Sequence, residues 1–175
     1  MGGDTVRHLI VGAARSGKSR RAEQLALASG KRPFYLATAQ PGDEEMAARI
    51  AHHRQRRGPQ WTLVEEPVAL GAALAALDAP GHCLLVDCLT LWLSNCLHAD
   101  CWGGERAALL DALERCRADV VLVGNEVGGG IVPLGELSRR FVDENGRLHQ
   151  LLGERCERVT AVIAGLPLTL KEPAP

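Results

Sequence analysis

Gly12-Ala13-Ala14-Arg15-Ser16-Gly17-Lys18-Ser19 is the stretch that decides how this chain is read. It fits G-x-x-x-x-G-K-[ST], and it stands between an apolar run, Val6 to Val11, and a segment with helical character, Lys18 to Ala28. Strand, glycine-rich loop and helix in that order make a phosphate loop. The spacing lets successive backbone N–H groups curl round a polyphosphate, while the helix N-terminus adds partial positive charge. Lys18 is expected to reach the β and γ phosphates, and the Ser19 hydroxyl to ligate Mg²⁺. The octapeptide therefore predicts binding of a nucleoside triphosphate.

Working outward, strand and helix signals alternate, which predicts an α/β fold with a mainly parallel sheet and helices on both faces. Pro33–Thr38 reads as a second strand, Asp43–Arg57 as a helix that starts acidic and ends basic, and Trp61–Val64 as a short strand. Val68–Leu77 reads as helix, and His82–Asp87 is a continuous apolar run of the kind buried on both faces. Leu89–Leu97 has helical character, Ala99–Gly104 reads as a loop, and Glu105–Cys116 as helix. Val120–Val123 is a further buried strand. It leads into the segment Asn125 to Pro133, which is too glycine-rich for regular structure. Leu137–Leu152 reads as an amphipathic helix, Val159–Ala164 as the last strand, and Glu172–Pro175 as a frayed tail.

At 175 residues the chain fits one domain, 1–175, able to bury about 70% of its unfolded surface. A net charge of −1 argues against non-specific binding to nucleic acid or anionic membrane. No apolar run approaches the roughly 20 residues of a membrane span, and Arg7 and His8 interrupt any signal-peptide core. A cytosolic location is expected. None of the six cysteines forms a C-x-x-C pair. Cys96, His98 and Cys101 lack a fourth ligand nearby, so a zinc site is not expected.

Asp87 ends an apolar strand, where in phosphate-loop proteins an acid sits to hold Mg²⁺ directly or through water; it could instead cap the next helix. Glu126 rivals it, since VVLVGNE also places an acid just past a buried strand. With Glu126 orienting water, the protein would be a hydrolysing ATPase; with the phosphate loop alone, it would be a simple small-molecule kinase. His52 and His53 point about 100° apart on a helix. With Ile50 at the centre of the apolar face, His52 lies roughly 200° round, beside Glu45, Arg49 and Arg56. An arginine-rich face attracts phosphate and disfavours imidazolium, and a neutral imidazole is a competent nucleophile towards phosphorus. A solvated surface histidine is the plainer alternative, and spacing does not choose between them.

GAARSGKS, YLATAQPGDEEMAARIAHHRQRR, LLVDCLTLWLSN, LVGNEVGGGIVP and RRFVDENGRLHQ follow in order. Together they resemble the bifunctional adenosylcobinamide kinase/adenosylcobinamide-phosphate guanylyltransferase family of cobalamin biosynthesis, from about Val6 to Lys171. The phosphate loop is common to many folds, whereas R-I-x-H-H and N-E-V-G-x-G-I-V-P are far more specific. The resemblance implies a RecA-like P-loop NTPase fold and a homotrimer. It implies two reactions: a nucleoside triphosphate, ATP or GTP, phosphorylates the aminopropanol hydroxyl of adenosylcobinamide. GTP then guanylylates a histidine, and GMP passes to adenosylcobinamide-phosphate. The histidine falls on His52. By the same resemblance Gly12, Ala13, Ala14, Arg15, Ser16, Gly17, Lys18 and Ser19 hold the triphosphate. Thr38, Ala39, Gln40, His53, Arg54, Gln55, Arg56, Glu65 and Asp87 match the remaining nucleotide-contacting positions, and Ser19 and Asp87 match the Mg²⁺ ligands. Two departures stand out: Ala13 where the family has Gly, and His149 where it has Asn; the residues give no physical reason for the latter, whose plain alternative is a surface exchange.

Overall fold

The computed structural model describes residues 5–40 and 58–173. Its elements are β1 (Arg7–Gly12), α1 (Lys18–Ala28), β2 (Arg32–Ala37), β3 (Thr62–Glu65), α2 (Leu70–Ala76) and β4 (His82–Asp87). They continue as α3 (Leu89–His98), α4 (Trp102–Arg115), β5 (Asp119–Asn125), α5 (Glu136–Arg155), β6 (Arg158–Ile163) and β7 (Leu166–Lys171). The strands form one seven-stranded sheet in the order β3-β2-β4-β5-β1-β6-β7. All neighbours run parallel except β6 and β7. The expected α/β architecture is present, and the helix expected over Asp43–Arg57 lies outside the described residues.

Parallel strands need helical crossovers, so their residues are buried on both faces and read as continuous apolar runs. The alternate side chains of β4 show this. Leu84 and Val86 pack into a core with α2, α3, α4 and α5, through Leu74, Trp92, Leu109 and Leu152 among others. Cys83 and Leu85 face the other way, onto Ala22 and Ala26 of α1. Helices thus cover both faces.

Two expectations need correction. The loop assigned to Ala99–Gly104 is shorter, because α4 begins at Trp102 and takes in Gly103 and Gly104. Each glycine costs a helix about 1 kcal/mol. Tertiary anchoring of Trp102 offsets that cost: its ring meets Trp92 edge-on at 5.2 Å, and its Nε1 donates to Glu144 Oε2 at 2.6 Å. Ile163 is also not the end of the sheet, since β7 returns antiparallel to β6. The two residues between them, Ala164 and Gly165, have φ of 53° and 79°. Positive φ at both central positions is the geometry of a tight hairpin turn, here without the Asn-Gly signal that usually betrays one.

Candidate active site

The phosphate loop leaves the C-terminal end of β1 at Gly12 and enters α1 at Lys18. Arg15 and Gly17 take left-handed φ of 57° and 95°, which curls the chain so that Ser16 N meets Ala13 O at 3.2 Å. A methyl group at Gly12 would stand 2.6 Å from both Ser16 Oγ and Val162 O, so no larger residue fits there. Ala13 is exposed and its φ lies outside the left-handed region, so its methyl group is accommodated without strain. Lys18 is buried, and its Nζ reaches back across the loop to Ala13 O at 3.1 Å. Helix α1 has no side-chain cap at Gly17, which leaves its first N–H groups for an anion. The Ser16 hydroxyl is enclosed with no hydrogen-bond partner. An orphaned donor, uncapped amides and a buried ammonium make a cradle that suits phosphate.

Asp87 closes β4, at the same end of the sheet. Register carries Glu65 opposite Ala37, Ala37 opposite Asp87, Asp87 opposite Val123, and Val123 opposite Ile10. Glu65 and Asp87 therefore lie along one edge with the loop. The Tyr35 hydroxyl donates to Asp87 Oδ2 at 2.7 Å and orients the carboxylate. Ser19, half-buried in the first turn of α1, and Asp87 offer hard oxygen donors of the kind Mg²⁺ takes. The donor set fits the metal.

Thr38 is completely buried and spends its hydroxyl locally: Oγ1 donates to Cys88 O at 2.7 Å and accepts from Cys88 N at 2.9 Å. It clamps the peptide after Asp87 and has no surface to offer a ligand. Asn95, on α3, donates to Thr38 O at 2.9 Å and to Pro67 O at 3.0 Å, binding the same edge together. Ala39 is half-buried, and Gln40 and Glu65 are exposed at this end. His52, His53, Arg54, Gln55 and Arg56 lie outside the described residues.

Sequence reasoning understated the end of β5. Glu126 N donates to Gly12 O at 3.0 Å, Asn125 N donates to Thr90 Oγ1 at 2.8 Å, and Asn145 Nδ2 donates to Asn125 O at 3.0 Å. The segment after β5 is thus tied to the first residue of the phosphate loop. His149 is no surface exchange. Its ring lies against Gly124, its Nε2 is enclosed without a partner, and burial lowers its pKa. Beyond Glu126, the exposed side chains Ile131, Val132 and Leu134 project from the loop before α5. Cys101 Sγ lies against Cys96 and donates to its carbonyl at 3.7 Å, whereas His98 Nδ1 is engaged with Ser94 O at 2.7 Å. Burial raises the thiols of Cys83, Cys88 and Cys116 to about 11, and those of Cys96 and Cys156 to about 12.

The family model described as cobinamide kinase / cobinamide phosphate guanyltransferase matches residues 8–170. The chain is 58% identical over 169 residues to the bifunctional adenosylcobalamin biosynthesis protein CobP of Pseudomonas aeruginosa, covering 95% of this chain and 98% of that one. It is 40% identical over 179 residues to the CobU protein of Escherichia coli, covering 93% and 98%. Among solved structures it resembles the RadB recombinase at TM-score 0.51 and 20% identity, over 89% of this chain and 73% of that one. A KaiC-like protein of Pyrococcus horikoshii matches at TM-score 0.50 and 14% identity, over 89% and 70%. Those two likenesses bear on the fold, which is that of P-loop NTPases. The sequence matches bear on the family, and by them this chain belongs to the cobinamide kinase/cobinamide phosphate guanyltransferase family.

Proposed function

We propose that this chain performs two successive transfers on one corrinoid side chain. A nucleoside triphosphate first phosphorylates the aminopropanol hydroxyl of adenosylcobinamide. GTP then guanylylates His52 with loss of pyrophosphate, and GMP passes to adenosylcobinamide-phosphate to give adenosylcobinamide-GDP. The observation that carries the reading is the built phosphate cradle, with Lys18 buried across the loop and Ser16 Oγ unpartnered inside it, in a chain of this family.

In this reading residues Gly12 to Ser19 hold the triphosphate, and Lys18 with the loop amides stabilises charge on the departing group. Each such donor is worth about 3–4 kcal/mol, or roughly 10²–10³ in rate. Ser19 and Asp87 hold Mg²⁺, which when bound neutralises phosphate charge. His53, Arg54, Gln55 and Arg56 accompany His52, and Ala39, Gln40 and Glu65 border the nucleotide. A covalent intermediate splits one hard displacement into two easier ones and predicts ping-pong kinetics for the second transfer. The exposed Ile131, Val132 and Leu134 offer apolar surface for the corrinoid. A homotrimer belongs to the same reading; Ile163, Leu166, Leu168 and Leu170 form an exposed apolar row that such an assembly would cover.

GTP labelled at the α phosphorus tests it. The label should stay on the protein, labile to acid and stable to alkali, and should be lost in His52→Ala but kept in His53→Ala. A label that persists in His52→Ala overturns the assignment. A simple kinase would show no protein-bound label at all.

A further inference from the structure

Glu126 stands one residue beyond β5, and its position is set by main-chain geometry. Gly12 pairs with Asn125 in the β1–β5 ladder, and Glu126 N adds one further bond, to Gly12 O at 3.0 Å. The residue before it is held from two sides, by Thr90 on α3 and by Asn145 on α5, the latter almost completely buried. Three elements therefore fix where the Glu126 side chain begins relative to the phosphate loop. The carboxylate is exposed, and Oε1 accepts from Gly128 N at 2.7 Å. Among the described residues no Lys or Arg forms an ion pair with it.

A carboxylate beside a polyanion site opposes ground-state binding. Such a group gains a place when it acts in the reaction. Of the displacements in the proposed function, only one has a nucleophile with a proton to shed. His52 attacks through the lone pair of a neutral imidazole nitrogen, and the corrinoid phosphate attacks as an anion. The aminopropanol hydroxyl is the exception, and a positioned base contributes most where a proton leaves in the transition state.

We propose that Glu126 is the catalytic base of the kinase half-reaction. Its carboxylate takes the hydroxyl proton as the substrate oxygen bonds to the γ phosphorus. The bond from that phosphorus to the β–γ bridging oxygen breaks, and its electron pair leaves with the nucleoside diphosphate. The proton then passes from Glu126 to solvent. The proposal rests on the two-transfer reading above and assigns to one half of it a residue that the other half does not need.

Glu126→Gln tests it, because the amide keeps an oxygen for Gly128 N while giving up the charge and basicity of the carboxylate. With adenosylcobinamide and a nucleoside triphosphate, phosphorylation should fall by about a hundred- to ten-thousand-fold. At saturating GTP, labelling from the α phosphorus should remain at the wild-type level, as should conversion of adenosylcobinamide-phosphate supplied directly. A phosphorylation rate within about threefold of wild type overturns the proposal. So does loss of the protein-bound label, which would make Glu126 part of nucleotide binding, and so does loss of acceptor-independent hydrolysis with phosphorylation intact. Absence of label in the wild-type protein would defeat the guanylyl-histidine reading instead, and the phosphorylation rates would still decide the role of Glu126.

Discussion

The main-chain N–H of Gly165 donates a 2.9 Å hydrogen bond to the carbonyl of Ser16, so the β6–β7 turn is fastened to the phosphate loop. The two backbones are close enough that a methyl group on Gly17 would stand 3.3 Å from Gly165 Cα. A hairpin that sequence reading passed over thus braces the loop from the far side of β1.

Gly165 has φ of 79°, where a side chain costs about 1–2 kcal/mol whatever space surrounds it. Gly165→Ala should destabilise by about that much and raise KM for GTP in the labelling reaction. Gly30, with φ of 70° and open space around it, lies in the turn between α1 and β2. Gly30→Ala should cost a similar amount in chemical denaturation and leave KM unchanged. Equal KM values for the two variants would remove the bracing role.

Gly124 leaves room for His149. An added methyl group would stand 2.3 Å from the Nε2 atom, so Gly124→Ala forces ring or strand to move, at about 1–3 kcal/mol. In a His149→Ala background the same substitution should cost far less. A double-mutant cycle by urea denaturation reads the coupling; additive costs would mean that the ring and Gly124 do not meet.

Two histidines make the fold acid-sensitive. Burial, and after it the charges of Arg158 and Arg21, push His8 down to about 4, and its Nε2 lies 2.8 Å from Thr160 Oγ1. His149 is lowered in the same direction. Both are neutral in the folded chain over a range where the unfolded chain takes up protons, so stability is complete above about pH 6.5 and declines as pH falls towards 4. For His8 the loss is on the order of 3 kcal/mol. The lowered carboxyls of Asp78, Glu144 and Glu157 contribute stability that is lost only at still lower pH. The thermal midpoint should fall between pH 7 and 4.5. His8→Leu/Thr160→Val, which removes both partners together, should flatten most of that fall.

Tyr35→Phe removes the hydroxyl that orients Asp87 and leaves the ring packed against Trp61, edge-on at 5.7 Å. Groups that orient a metal ligand typically govern affinity by about 10- to 100-fold. The Mg²⁺ concentration giving half-maximal labelling from GTP should rise by about tenfold, with little change in stability. An unchanged Mg²⁺ requirement would separate Asp87 from the metal.

Sequence alone determined whatever depends on residues near one another along the chain. The loop from Gly12 to Ser19 has its required glycines and lysine at fixed spacing, and the buried strands announce themselves as apolar runs bounded by loop residues. The alternation of strand and helix then dictates a parallel sheet, because parallel neighbours can be joined only by a crossover. Tertiary structure decided what depends on which strands become neighbours. That Glu126 bonds to Gly12, that the half-buried His149 sets its ring against Gly124, and that Trp102 starts a helix through two glycines all follow from contacts between distant segments. None of them leaves a periodicity or a motif in the residues concerned, since a hydrogen bond between two backbones is indifferent to the side chains that carry it.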